Sequence, residues 1–129
     1  MVIDSSAVLA IMFGEEDAER FATAIETDPT RLMSSASILE ATIVAVARKG
    51  PQSERELDLF LIRAGIETVA FNEEQLKVAR FAFREYGKGR HPAGLNFGDC
   101  FSYALSRTSG EPLLFKGDDF AKTDIVPCL

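Results

Sequence analysis

Two cysteines and a single histidine occur in the 129 residues, and this scarcity removes several chemistries at once. No Cys/His spacing matches a tetrahedral zinc site. A nucleophilic triad would have to use His91, which stands in a glycine-rich segment beside Pro92, where a lone histidine is ordinarily solvated. Cys100 falls on an apolar stripe with Phe97, Phe101 and Ala104, the setting of a buried structural thiol, and with Cys128 it is expected to stay free. Long apolar runs are missing too. The first is interrupted by Asp4, Ser5 and Ser6, lacks a basic leader and runs into Gly14-Glu15-Glu16-Asp17, so neither a signal peptide nor a membrane span is expected and a cytosolic location follows. There is no internal repeat.

What is present is ordinary for one folded domain spanning residues 1–129: 47% apolar and 26% charged residues, enough for one well-formed core. The formal charge of −6 argues against a chain that coats nucleic acid by general attraction. Its distribution is uneven. Lys77, Arg80, Arg84, Lys88 and Arg90 face only Glu85 between positions 77 and 91. One basic stretch on an acidic body suits phosphate contact in a groove; a solvated basic helix face has the same composition.

Met1-Val2-Ile3 reads as a short buried first strand and Leu32-Met33 as a brief second one, while Glu67 to Phe71 and Pro112 to Phe115 are two further strand candidates, with Ile125-Val126 as a small last one. Ala18, Phe21, Ala22 and Ile25, then Leu57, Phe60, Leu61 and Ala64, recur at helical spacing. Phe97, Cys100, Phe101, Ala104 and Leu105 form a third stripe, with Asn96 as N-cap and the helix beginning near Asp99. Alternating strands and helices predict an α/β fold, a central mostly parallel sheet flanked by helices, with ligands gathered beyond the carboxyl ends of the strands. The irregular segment Tyr86 to Leu95 is long enough to be a functional loop.

The acidic residues fall near those ends. Asp4 follows the first strand, with Ser5 and Ser6 available to its oxygens; a helix N-cap is its plain structural reading. Residues 36–47 offer almost no polar face apart from Glu40, so the helix is expected to be buried, where a lone carboxylate costs on the order of several kcal/mol unless it is paired. Ser37 to Glu40 also matches a capping box, the structural rival. Asp99 would sit in a first helical turn, where its charge meets the helix dipole. Asp118 and Asp119 follow Gly117 as turn residues would. Singly each is weak; together they predict a carboxylate cluster that repels itself without a cation and suits one or two Mg²⁺ or Mn²⁺ ions in all-oxygen coordination.

In order and spacing, Val2-Ile3-Asp4-Ser5-Ser6-Ala7, Ser37-Ile38-Leu39-Glu40-Ala41, Asn96-Phe97-Gly98-Asp99-Cys100 and Leu114 to Phe120 resemble the PIN-domain ribonucleases of the VapC toxin group over nearly the whole chain. Ser5 replaces the usual Thr and keeps the hydroxyl. The resemblance implies a PIN-like three-layer fold and a metal-dependent endoribonuclease with Asp4, Glu40, Asp99 and Asp119 as metal ligands. Asp118 is the alternative fourth acid, and Ser6 and Asn96 support the site. It also implies a VapB-like antitoxin, a homodimer and RNA as substrate; carboxylates repel RNA, so Arg84, Lys88, Arg90 and His91 of the basic stretch and the loop are expected to guide its backbone.

Two other chemistries use some of the same residues. A phosphatase of the haloacid-dehalogenase type would take Asp4 as nucleophile with Lys116, Asp118 and Asp124, but has Ser6 where its proton donor belongs. A receiver-like binding module would use Asp4 and Lys116, but has Asn72 where its aspartate belongs. The phosphatase reading also gives Glu40 and Asp99 no role.

Overall fold

The computed structural model describes all residues, 1–129. Four short strands form one parallel sheet in the order β3-β2-β1-β4: β1 (Val2–Ile3), β2 (Leu32–Ser34), β3 (Glu67–Val69) and β4 (Leu113–Leu114). Val2 pairs with Leu32 on one side and Leu113 on the other, and Ile3 with Leu114. Successive side chains of a strand point to opposite faces, and this alternation divides the core in two. Ile3, Met33 and Leu114 pack with α1 (Ser5–Met12), α2 (Ala18–Thr27), α3 (Ser35–Lys49) and α4 (Gln52–Arg63) through Val8, Phe21, Ile25, Ala41 and Leu57. Val2 and Leu113 pack on the other face with α5 (Glu73–Tyr86) and α6 (Phe97–Ser109) through Ala82, Tyr103 and Leu105. The result is the three-layer arrangement expected. No helix is long and apolar enough to cross a membrane.

Because every strand runs the same way, their carboxyl ends share one edge. There the chain turns directly into α1 at Asp4 and into α3 at Ser34, whose side chains accept from the backbone N–H groups of Ser6 and Ala36. Side-chain caps of this kind stabilise a helix by about 1 kcal/mol.

Two expectations need correction, and the rival reading of Glu40 fails. The last strand is reduced to a single bridge between Leu113 and Pro127, flanked by hydrogen bonds from Leu113 N–H to Val126 O and from Cys128 N–H to Leu113 O, both 2.9 Å; Pro127 has no N–H with which to extend the ladder. The capping box at Ser37 does not form, since the cap of α3 is Ser34, three residues earlier. Nor is α3 buried all round. Ser37, Ala41 and Ala45 face the interior, while Leu39 and Ile43 stand about 60% exposed. The apolar sequence fills two faces, and this chain covers only one.

The segment between Tyr86 and Leu95 is a closed loop. Lys88 N–H donates to Leu95 O and Leu95 N–H to Tyr86 O, both at 2.9 Å. His91 is half-buried rather than solvated: its ring meets Tyr86 edge-on at 5.1 Å and its Nδ1 accepts from Ala93 N–H at 3.0 Å. It pins the loop.

Candidate active site

Asp4 leaves β1 with its backbone N–H bonded to Leu114 O at 2.9 Å, so its position is set by the sheet itself. It serves as the N-cap of α1 and is nevertheless 4% exposed. Its Oδ2 accepts from Ser6 N–H (3.1 Å) and Ser6 Oγ–H (2.6 Å), and its Oδ1 accepts from Ser102 Oγ–H at 2.5 Å. Behind these, Lys116 N–H donates to Ser6 Oγ at 3.0 Å, and Ser37 and Ser102 stand 3.3 Å apart, oxygen to oxygen.

Glu40, in the second turn of α3, receives Ser5 Oγ–H at 2.6 Å. Its carboxylate lies against Gly98 in the first turn of α6, so closely that a Cβ built on Gly98 would overlap it. That glycine is what lets α3 and α6 bring an acid from each to the same edge.

Asp99 and Asn96 form a reciprocal capping box: Asn96 Oδ1 accepts from Asp99 N–H at 2.9 Å, and Asp99 Oδ2 from Asn96 N–H at 3.0 Å. Burial pushes the Asp99 carboxyl up to about 7; the Asn96 N–H opposes this, while the charges of Asp4 and Asp119 and a hydrogen bond with Asp119 add to it. Asp119, at the start of the short 3₁₀ turn Phe120–Lys122, is the residue that reaches Asp99. Asp118 is exposed and accepts a turn hydrogen bond from Ala121 N–H through its carbonyl. Cys100, a free thiol, donates to Asn96 O and is pushed up to about 11, mainly by burial. It has the structural role expected of it.

The acids are near one another without forming a closed coordination shell: no three of them are drawn into a ready-made metal centre. The donor set fits a hard divalent ion, being all oxygen. None of Asp4, Glu40, Asp99 and Asp119 takes part in an ion pair with a protein cation. Lys116 turns away and pairs with Glu15.

Residues 1–126 match the family model for the PIN domain. A VapC30 ribonuclease of Mycobacterium tuberculosis is 58% identical over 126 residues, covering 98% of this chain and 96% of its own; a VapC ribonuclease of Mycolicibacterium smegmatis is 56% identical, covering 98% of each. The chain is a PIN-domain protein of the VapC ribonuclease family. Two solved structures share the fold at low identity. One is M. tuberculosis VapC20, described as a toxin cleaving the sarcin-ricin loop (TM-score 0.77, 14% identity, 97% of this chain and 95% of that one). The other belongs to a toxin-antitoxin complex from Klebsiella pneumoniae (0.73, 16%, 99% and 97%).

Within this PIN domain the side chains assigned to rival chemistries are engaged elsewhere. Lys116 is held by Glu15, and Asp124 accepts from Tyr103 Oη–H at 2.6 Å and lies 3.7 Å from Arg107. Arg84, Lys88 and Arg90 are exposed and form no ion pair; the Arg90 guanidinium lies 5.7 Å over the Phe83 ring. None of the three bonds to the carboxylates, although the loop that carries Lys88 and Arg90 ends at Leu95, next to the Asn96 cap. The sequence pattern gives Ser37 only the part of a helix cap, and it gives Gly98 and Ser102 no part in the site. A faint signal existed, since Ser37 lies three residues before Glu40 and Ser102 three after Asp99, on shared helical faces.

Proposed function

We propose that this protein is a Mg²⁺- or Mn²⁺-dependent endoribonuclease, acting in the cytosol as the toxin half of a toxin-antitoxin pair and built as one domain over residues 1–129. The observation that carries the reading is the set of acids at one sheet edge, held by neutral hydroxyl and amide donors and offset by no protein cation. Asp4 and Asp99 are the principal metal ligands; Glu40 and Asp119, rather than Asp118, complete the set directly or through water. A divalent ion held by these acids would supply a water of lowered pKa and would neutralise charge developing on a phosphodiester.

The protein's own part is to fix the donors. Ser6 holds Asp4, Ser5 holds Glu40, and Asn96 holds Asp99 through Oδ2. Arg84, Lys88, Arg90 and His91 guide the RNA backbone, offsetting the repulsion between phosphate and carboxylates. Attack by water does not require the ribose 2′-hydroxyl, so the products carry a 5′-phosphate and a free 3′-hydroxyl.

Two partners follow. The apolar α3 surface, with Leu39, Ile43 and the 81%-exposed Phe97 around a pocket of about 300 Å³, suits a second copy of the chain in a homodimer. A VapB-like antitoxin would cover the acidic groove with a segment whose arginine fork matches carboxylate oxygens.

The decisive experiment is RNA cleavage in Mg²⁺ by Asp4→Asn and Asp99→Asn proteins. Both should stay folded by circular dichroism and lose cleavage to background. A folded Asp4→Asn protein turning over at the wild-type rate would overturn the assignment. For the antitoxin, the product of the neighbouring gene should co-purify, and its removal should restore cleavage.

A further inference from the structure

Serine and threonine inside helices commonly return their hydroxyl to the carbonyl one turn back. Thr42 does so on α3, donating to Ile38 O at 2.8 Å, and Thr108 does so on α6, donating to Ala104 O at 2.9 Å. Ser37 and Ser102, on the same two helices, do not. Both are essentially inaccessible to solvent, and both reach out of their own helix: Ser102 to Asp4, and Ser37 to Ser102.

The direction of this chain follows from donor capacity. An ionised carboxylate only accepts, so Ser102 spends its one proton on Asp4 Oδ1, and Ser37 must therefore be the donor to Ser102. The other oxygen is served in the same manner, with Lys116 N–H donating to Ser6 Oγ and Ser6 Oγ–H to Oδ2. A carboxylate offers about four lone-pair sites. Oδ2 accepts from both the N–H and the hydroxyl of Ser6, whereas Oδ1 accepts from Ser102 alone. The remaining capacity is on Oδ1.

We propose that Ser102, backed by Ser37, is a positioning residue for Asp4, holding Oδ1 in the orientation in which it meets a divalent cation. The inference rests on Asp4 being a metal ligand. Partners in this outer position typically change metal affinity by about 10- to 100-fold when removed, because the ligand loses its fixed orientation. A purely structural serine would change stability and leave metal affinity alone.

The test is calorimetric titration of Mn²⁺ into the chelator-treated full-length protein, without RNA, with folding followed by circular dichroism. Ser102→Ala should bind Mn²⁺ about tenfold more weakly than wild type. Ser37→Ala should weaken binding by a smaller factor. The double variant should bind no more weakly than Ser102→Ala alone, because Ser37 acts only through Ser102. Wild-type affinity in a folded Ser102→Ala protein, or additive losses in the double variant, would overturn the relay while leaving the metal site standing. Failure of the wild type itself to bind Mn²⁺ would instead overturn the metal-site reading and this inference with it. If Ser102→Ala does not fold, Ser37→Ala decides alone: unchanged affinity refutes the relay.

Discussion

Gly98 and Glu40 compete for one volume: the glycine's missing side chain is where the glutamate's carboxylate lies. An alanine at Gly98 would favour the helix locally, by up to about 1 kcal/mol, yet it would drive Glu40 from the acidic edge. Gly98→Ala is therefore expected to lower RNA cleavage at least tenfold while the protein stays folded. The same change in a Glu40→Ala background should cost little more, since nothing is left to displace. Cleavage rates of the two single variants and the double variant check this; independent, multiplying losses would refute it.

Protonation of Asp99 gives a second expectation. Its carboxyl is raised from 3.8 to about 7 in the fold, so between those values the native protein holds a proton that the unfolded chain has released. The stabilisation from this group is full below about pH 4 and is lost as pH rises through 7. Metal binding needs the ionised form and works in the opposite direction. Without metal, the Asp99 contribution should lower Tm across this window. The rise in Tm on adding Mg²⁺ should be small at pH 5.5 and larger at pH 8. Thermal melts in chelator and in Mg²⁺ across that range measure both, and a Mg²⁺ effect independent of pH would contradict the role given to Asp99.

The features legible in the sequence are those whose causes are local. Asp4 after an apolar triplet, Asn96 three residues before Asp99, and the stripe from Phe97 to Leu105 each carry their reason within one turn of chain. Features decided by distant segments were not legible. The apolar run from Ile38 to Val46 predicts burial, but whether Leu39 and Ile43 are covered depends on neighbours this chain does not supply. Ser102 is only another small residue on an apolar stripe until β1 brings Asp4 beside it, 98 positions away. Val126 had the composition of a strand, and Pro127 limited it to one bridge.

The uncovered side of α3 leads to a third expectation. Burying a large apolar side chain contributes roughly 1.5–3 kcal/mol, and Leu39, Ile43 and Phe97 lie together beside Glu40. Leu39→Glu with Ile43→Glu should convert a homodimer to a monomer without loss of fold, because neither side chain contributes to the interior. Sedimentation at matched concentration reads this directly. A wild-type protein that is already monomeric would remove the second copy as the occupant of this face.

The last prediction concerns the loop that ends at the Asn96 cap. Lys88 and Arg90 are exposed and free of ion pairs, so removing them disturbs nothing in the protein beyond the Arg90 packing on Phe83. If both meet phosphates, the log-log dependence of RNA binding on salt should flatten by about 0.7 for each single-strand phosphate no longer neutralised, or about 1.4 for the pair. Lys88→Ala with Arg90→Ala should therefore weaken RNA binding most at low salt and leave Mn²⁺ affinity unchanged, since neither side chain touches a carboxylate. A basic face that is merely solvated predicts neither change. Equal RNA affinity and an equal salt slope in the double variant would reject the loop as a guide for substrate, and would leave the assignment of the acidic edge untouched.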